Sequence, residues 1–173
     1  MGSDIFARCF ARTVGEEGGY TADPNDAGNW TGGEIGKGTC RGTKFGISAA
    51  AYPTLDIAAL TLEQARAIYL RDYWTPIRAD DLPPPLAMLL FDAAVNNGVE
   101  TAVRRLQQVL KVTVDGILGP LTLSALPRGN LKTTCAKFQV LRWGALPRDL
   151  RYADGWDIRL MRITLDAGGL LSE

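Results

Sequence analysis

The sequence predicts a mainly helical fold broken by one glycine-rich excursion. Apolar residues recur at helical spacing in several separate segments, and nine of the nineteen glycines crowd between Gly18 and Ser48, where that spacing lapses. The segment Leu86 to Val95 is apolar nearly all round, as expected of a helix buried at the centre of a fold. At 173 residues the chain can bury about two-thirds of its unfolded surface in one cooperative core. An apolar content of 46% with 22% charged residues excludes a disordered, collagen-like or membrane-embedded chain.

The elements follow in order. Ile5, Phe6, Cys9, Phe10, Thr13 and Val14 trace one face of a helix that should run to Glu16-Glu17 and stop at Gly18-Gly19. A long loop follows, with a short hairpin near Lys44 to Ser48. Thr61-Leu62-Glu63-Gln64 is a capping box that opens a helix through about Tyr73, with Leu62, Ala65, Ile68 and Tyr69 inward. Pro83 to Pro85 reads as a hinge before the central helix. Further helices are expected at Glu100 to Leu110, Leu121 to Leu126, Asn130 to Trp143 and Trp156 to Ala167, the last ended by Gly168-Gly169. The expected division is a front lobe, residues 1–95, and a helical back lobe, residues 96–173, packed as one unit.

The chain contains no histidine, which excludes Ser-His-Asp and Cys-His catalysis, His-liganded zinc and imidazole proton transfer. Acid and base chemistry therefore falls to carboxylates, Lys, Tyr or Cys. Nineteen basic residues balance nineteen acidic ones, so no overall field draws in nucleic acid. The balance hides a gradient: six acids against three bases up to Cys40, and eight bases against three acids from Arg128 to Arg162. Cys9, Cys40 and Cys135 are too few and too widely spaced for a zinc ribbon or a disulfide framework, and Cys9 and Cys135 read as small core residues. The longest strongly apolar run, Leu86 to Phe91, is far short of a membrane span, and no signal segment is visible at the start.

Carboxylates cluster in the front. Glu17, at the expected end of the first helix, would feel the negative end of the helix dipole and hold its proton more tightly, as a general acid must. Asp23, Asp26 and Glu34 follow it, and a glycosidase needs a second carboxylate to direct water or stabilise an oxocarbenium-like transition state. Asp23 with Pro24-Asn25 also reads as plain turn chemistry. Asp23, Asn25, Gly28 and Glu34 share spacings with a calcium-binding loop, but Ala27 stands where a ligand is needed and no helix follows. Tyr20, Trp30 and Trp74 are aromatics placed to stack on sugar rings, whereas Phe45 and Tyr73 read as core. Asp92 and Asn96, four apart on the central helix, share one face and would need either buried partners or a wet cleft.

Glu17-Gly18-Gly19-Tyr20, Asp23-Pro24-Asn25-Asp26, Thr43-Lys44-Phe45-Gly46-Ile47-Ser48, Tyr73-Trp74, Phe91 to Gly98 and Val114 to Thr122 resemble, in content and order, motifs of glycoside hydrolase family 108, the N-acetylmuramidases of phage endolysins and secretion-associated enzymes. The resemblance implies a lysozyme-like fold whose glycine-rich loop or hairpin lines the cleft. It also implies hydrolysis of the β-1,4 bond between N-acetylmuramic acid and N-acetylglucosamine, and a peptidoglycan-binding segment in the last third. By it Glu17 is the catalytic acid, with Asp26 or Glu34 as second carboxylate and Thr43 beside it. Tyr20, Trp30, Trp74, Asp92 and Asn96 would contact substrate. It implies no cofactor or metal, peptidoglycan as the partner, and a monomer made in the cytoplasm that reaches the periplasm or wall through a holin or export system. The alternatives are a lytic transglycosylase acting on the same bond and a non-catalytic wall-binding or secretion-assisting protein.

Overall fold

A computed structural model of the chain describes residues 2–15, 19–126, 130–146 and 150–171. The architecture is mainly α. In chain order the elements are helix α1 (Gly2–Val14), a 3₁₀ turn (Ala27–Asn29), strands β1 (Thr43–Lys44) and β2 (Ile47–Ser48), α2 (Leu62–Tyr69), a π turn (Leu70–Trp74), a second 3₁₀ turn (Ala79–Asp81), α3 (Pro84–Asn97), α4 (Val99–Leu110), α5 (Pro120–Ser124), α6 (Leu131–Gly144) and α7 (Leu150–Leu170). The chain divides into two compact units: residues 10–69, and residues 1–9 together with 70–173. The boundary expected at residue 95 falls inside α3, because that helix is the core of the larger unit rather than the edge of the smaller one.

In the larger unit α3 is buried from Pro85 to Ala94, which explains a sequence with almost no polar face. It packs against α4, α6 and α7. Each fully buried Leu or Phe on it contributes about 1.5–3 kcal/mol of transfer free energy. Pro83 to Pro85 do not form a hinge. Pro83 is the N-cap and Pro84 and Pro85 occupy the first turn, where a missing N–H leaves no helical bond unmade.

The charged residue on α3 is held by its neighbours. Asp92 Oδ2 accepts from Arg142 Nη2 at 2.6 Å, and Oδ1 accepts from Arg159 Nη2 at 3.1 Å. Arg142 Nη1 donates to Gln139 Oε1, whose Nε2 donates to Thr164 Oγ1 at 2.6 Å. One carboxylate therefore ties α6 and α7 to α3. Helix α7 runs through Gly168-Gly169 to Leu170, beyond the expected stop. Ile163, Ala167 and Leu170 are buried along one stripe, and their packing outweighs the low helix propensity of the two glycines.

The loop after α4 is organised by Gln107, which is fully buried. Its Nε2 lies 2.6 Å from Asp115 Oδ1, 3.0 Å from Ile117 O and 3.1 Å from Thr122 Oγ1, while its Oε1 accepts from Gly116 N. The Ile117 N–H and the Gln107 amide hold the Asp115 carboxyl below the ordinary carboxylate range. Burial pushes the Cys9 thiol up to about 12 and the Cys135 thiol to about 11, consistent with inert core residues.

In the smaller unit the capping box forms as expected, with Thr61 N donating to Gln64 Oε1 and Gln64 N to Thr61 Oγ1. Ala65, Ile68 and Tyr69 turn inward, but Leu62 is exposed because it starts the helix on the solvent side. The α geometry ends at Tyr69, and the chain continues as the π turn through Trp74. Strands β1 and β2 pair antiparallel, Thr43 with Ser48 and Lys44 with Ile47. Their two-residue turn places Phe45 and Gly46 at φ 53° and 73°, the handedness a tight hairpin requires. Tyr69 donates its hydroxyl to Phe45 O at 3.0 Å and so ties α2 to the hairpin.

Candidate functional site

The first helix stops earlier than its sequence suggests. Gly15 takes φ 76° and donates its N–H to Ala11 O, closing α1 at Val14. Glu17, with Glu16 and Gly18, lies outside the described residues. The segment that follows is anchored: Thr21 and Thr43 exchange two backbone bonds, Thr21 N to Thr43 O at 2.9 Å and Thr43 N to Thr21 O at 2.8 Å. The chain just after the Glu17-Gly18-Gly19-Tyr20 motif is thus stitched beside Thr43.

Gly42 makes that stitching possible. It sits at φ 81°, and a Cβ there would stand 2.3 Å from Thr21 O and 2.6 Å from Tyr20 Cε2. Only glycine fits. The Tyr20 ring rests against this glycine while the residue stays half exposed, so an aromatic face remains open to a ligand.

Asp26 caps the 3₁₀ turn, its Oδ1 accepting from Gly28 N at 2.9 Å. Its other oxygen has no hydrogen-bond partner among the described residues. Asn29, at the end of that turn, is completely buried and joins the surrounding segments. Its Oδ1 accepts from the Thr43 hydroxyl at 2.7 Å and its Nδ2 donates to Asp23 O at 3.0 Å, while its backbone N donates to Asp26 O and its backbone O accepts from Arg41 N and Gly42 N. Asp26 and Thr43, seventeen residues apart in sequence, are thereby fixed to one internal residue, the first through its backbone N–H and the second through its side chain. Sequence reasoning passed over Asn29, because a lone asparagine between glycine and tryptophan has no periodicity to announce that it is buried.

The other candidates divide. Asp23 makes the turn expected of it, accepting from Asn25 N and Nδ2. Trp30 donates its indole N–H to Pro24 O at 2.9 Å and pairs with Cys40 in an isolated bridge, which leaves its ring partly accessible. Glu34 stands in open solvent with a side chain 72% exposed, 3.2 Å from Lys37 Nζ. Among the described residues no group of three His, Cys, Asp or Glu side chains is arranged to hold a metal ion.

Two expected substrate contacts lie in the larger unit and are core residues instead. Trp74 is 1% exposed within a three-ring cluster, 5.2 Å from Phe6 and 5.5 Å from Phe91 between centroids, and its indole N–H is taken by Asp80. It has no face left for a sugar. Asp92 is equally enclosed, with both oxygens committed to arginines. Asn96 donates back to Asp92 O at 2.6 Å along its own helix and lines a small cavity.

Residues 10–98 match the family model of glycosyl hydrolase 108, and residues 89–126 match that of a peptidoglycan binding domain. Among solved structures, that of SagA from Brucella abortus is similar with a TM-score of 0.79 and 27% identity, over 97% of this chain and 96% of that one. No curated protein matches the sequence.

Proposed function

The chain belongs to glycosyl hydrolase family 108, with a lysozyme-like, mainly α fold and a peptidoglycan-binding segment, the make-up of a peptidoglycan hydrolase; we propose that it cuts the β-1,4 bond from N-acetylmuramic acid to N-acetylglucosamine. Glu17 is the proton donor in this reading. It passes its proton to the departing glycosidic oxygen, while a water on the opposite face of the sugar attacks the anomeric carbon. Asp26 receives the proton of that water, and Thr43 helps to orient it. The product is a free reducing end at N-acetylmuramic acid, formed in one displacement with inversion.

The observation that carries this assignment is the geometry around Asp26. One oxygen is held by a backbone N–H and the other is open, and the whole turn is locked to Thr43 through Asn29. A water-directing carboxylate needs such a fixed bearing, because misplacement by an ångström can cost about a hundredfold in rate. Glu34 offers the opposite, a long side chain in solvent whose charge Lys37 already balances. Tyr20 and Trp30 supply ring faces for the flanking sugars. The enzyme acts at the cell wall, as a monomer, once an export route or holin gives it access.

The test is product analysis on purified peptidoglycan. Glu17→Gln and Asp26→Asn should each lower release of reducing ends by about 10²- to 10⁴-fold with unchanged thermal melting, and Glu34→Gln should stay within a few-fold of the parent. Mass spectrometry showing 1,6-anhydro ends would replace hydrolysis by transglycosylation. Near-normal activity of Asp26→Asn would move the second role to Glu34.

A further inference from the structure

The larger unit contains a cavity of about 210 Å³ between the C-terminal ends of α3 and α6 and the middles of α4 and α7, lined by Arg105, Arg142, Arg159, Asn97, Leu146 and Leu160 among others, with no acidic residue among the described residues of its wall. Three guanidinium groups at one small cavity are costly unless anions compensate them. Asp92, behind the wall, bonds Arg142 and Arg159. Arg105 is held differently, by Asn97 Oδ1 at 2.8 Å, a neutral acceptor that aims the group without balancing its charge. Burial and the nearby charge of Arg142 both press the Arg105 guanidinium toward losing its proton. Arg142 is 6% exposed, and its Nε has no hydrogen-bond partner among the described residues. That Nε is sealed from the cavity as well as from protein acceptors, so the guanidinium left for a ligand is that of Arg105, which is partly exposed and faces no anion among the described residues.

The wall also has an apolar side, formed by Leu146, Leu160 and Ala145. Its size is below that of cavities that enclose whole drug-sized ligands, so an end group fits and a sugar strand does not. Arginine forks beside aliphatic carbons match a carboxylate that carries a short alkyl group. Arg105 and Asn97 also fall within the stretch that matches the peptidoglycan binding domain.

We propose that this cavity is a second binding site on the enzyme, which takes the free carboxylate terminus of a peptidoglycan stem peptide and its last small side chain. The idea rests on the peptidoglycan reading above for the choice of ligand. Arg105 holds the carboxylate, and the leucines receive the methyl group. The catalytic unit would then be delivered to strands that carry uncapped stems.

Titration calorimetry with N-acetyl-D-Ala-D-Ala on the full chain tests it, with the C-terminal amide of the same peptide and inorganic phosphate as the other arms. The acid should bind, and the amide should bind at least about tenfold more weakly, the size expected for losing a charge-assisted fork. Arg105→Gln, which leaves the Asp92 network intact, should weaken the acid by a similar factor. Asn97→Ala, which frees Arg105 from its aiming bond, should weaken it several-fold and covers the case in which Arg105→Gln does not fold. Equal binding of acid and amide, binding of phosphate alone, no binding of any probe, or indifference to both substitutions would overturn the proposal. Reducing-end release by the unaltered chain is measured separately: hydrolysis without peptide binding sinks this site alone, and peptide binding without hydrolysis sinks the enzymatic reading alone.

Discussion

Each of the two units of the chain holds its own shape by a different means. In the larger one, helices bury aliphatic and aromatic side chains around α3, and the buried polar residues include the Asp92–Arg142 ion pair and the hydrogen-bonded amides of Gln107 and Gln139. In the smaller one, residues 20 to 48 contain two short strands and a 3₁₀ turn, and their shape is kept by backbone bonds and short side chains that meet at Asn29. A packed core answers a lost contact in proportion to the area and cavity left behind, whereas a hydrogen-bonded loop depends on each buried donor finding its acceptor. The catalytic candidates Asp26 and Thr43 sit in the second kind of structure, which fixes short polar side chains without needing a thick core around them.

Substitutions at the two hubs sharpen this contrast. The largest effect is expected from Asp92→Ala, which strands Arg142 in the core and should lower stability by about 3–5 kcal/mol in urea denaturation. The double change Asp92→Leu with Arg142→Met should recover most of it, since apolar packing can replace a buried ion pair. If the double variant is as unstable as the single one, the pair does more than fill space. Asn29→Ala should cost about 1–3 kcal/mol through unpaired groups, and no apolar substitute should rescue it. A leucine at position 29 that melts like the parent would show the loop to be an ordinary small core after all.

A smaller, pH-dependent effect is expected at the loop built on Gln107. The Asp115 carboxyl is held below its ordinary value when folded, so its contribution is fully present above the unfolded value of about 4 and fades as pH drops through the folded one. Asp115→Asn should therefore lower the urea midpoint at neutral pH, and the gap to the parent should close on acidification. A gap that is constant down to about pH 2 would mean that shape, not charge, is what Asp115 contributes.

The same contrast decides what could be read from the chain beforehand. Helices α2 to α6 were legible because an apolar stripe, a capping box or a proline marked each of them. Sequence and structure part where packing overrules a local signal, as at Gly168-Gly169, and where a proline run that could mark a hinge instead opens a helix. For the candidate site, glycine density and the carboxylate series mark the region, and the structure brings Asp26 and Thr43 together around Asn29. Nothing local separates Trp74 and Asp92 from ligand-facing residues, because an aromatic or an acid in a motif looks alike whether it faces a ligand or fills a core. Asn29 carried no signal, since its role exists only once residues 23, 41 and 43 have come together.

The ion pairing of Asp92 sets where this protein can be cut. A fragment ending at residue 98, where the match to the hydrolase family stops, would keep a bare helix with an acid at its heart and lose both arginines that answer it. Such a truncation should aggregate rather than yield a minimal enzyme. Trimming the tail is therefore no route to a smaller version of this scaffold.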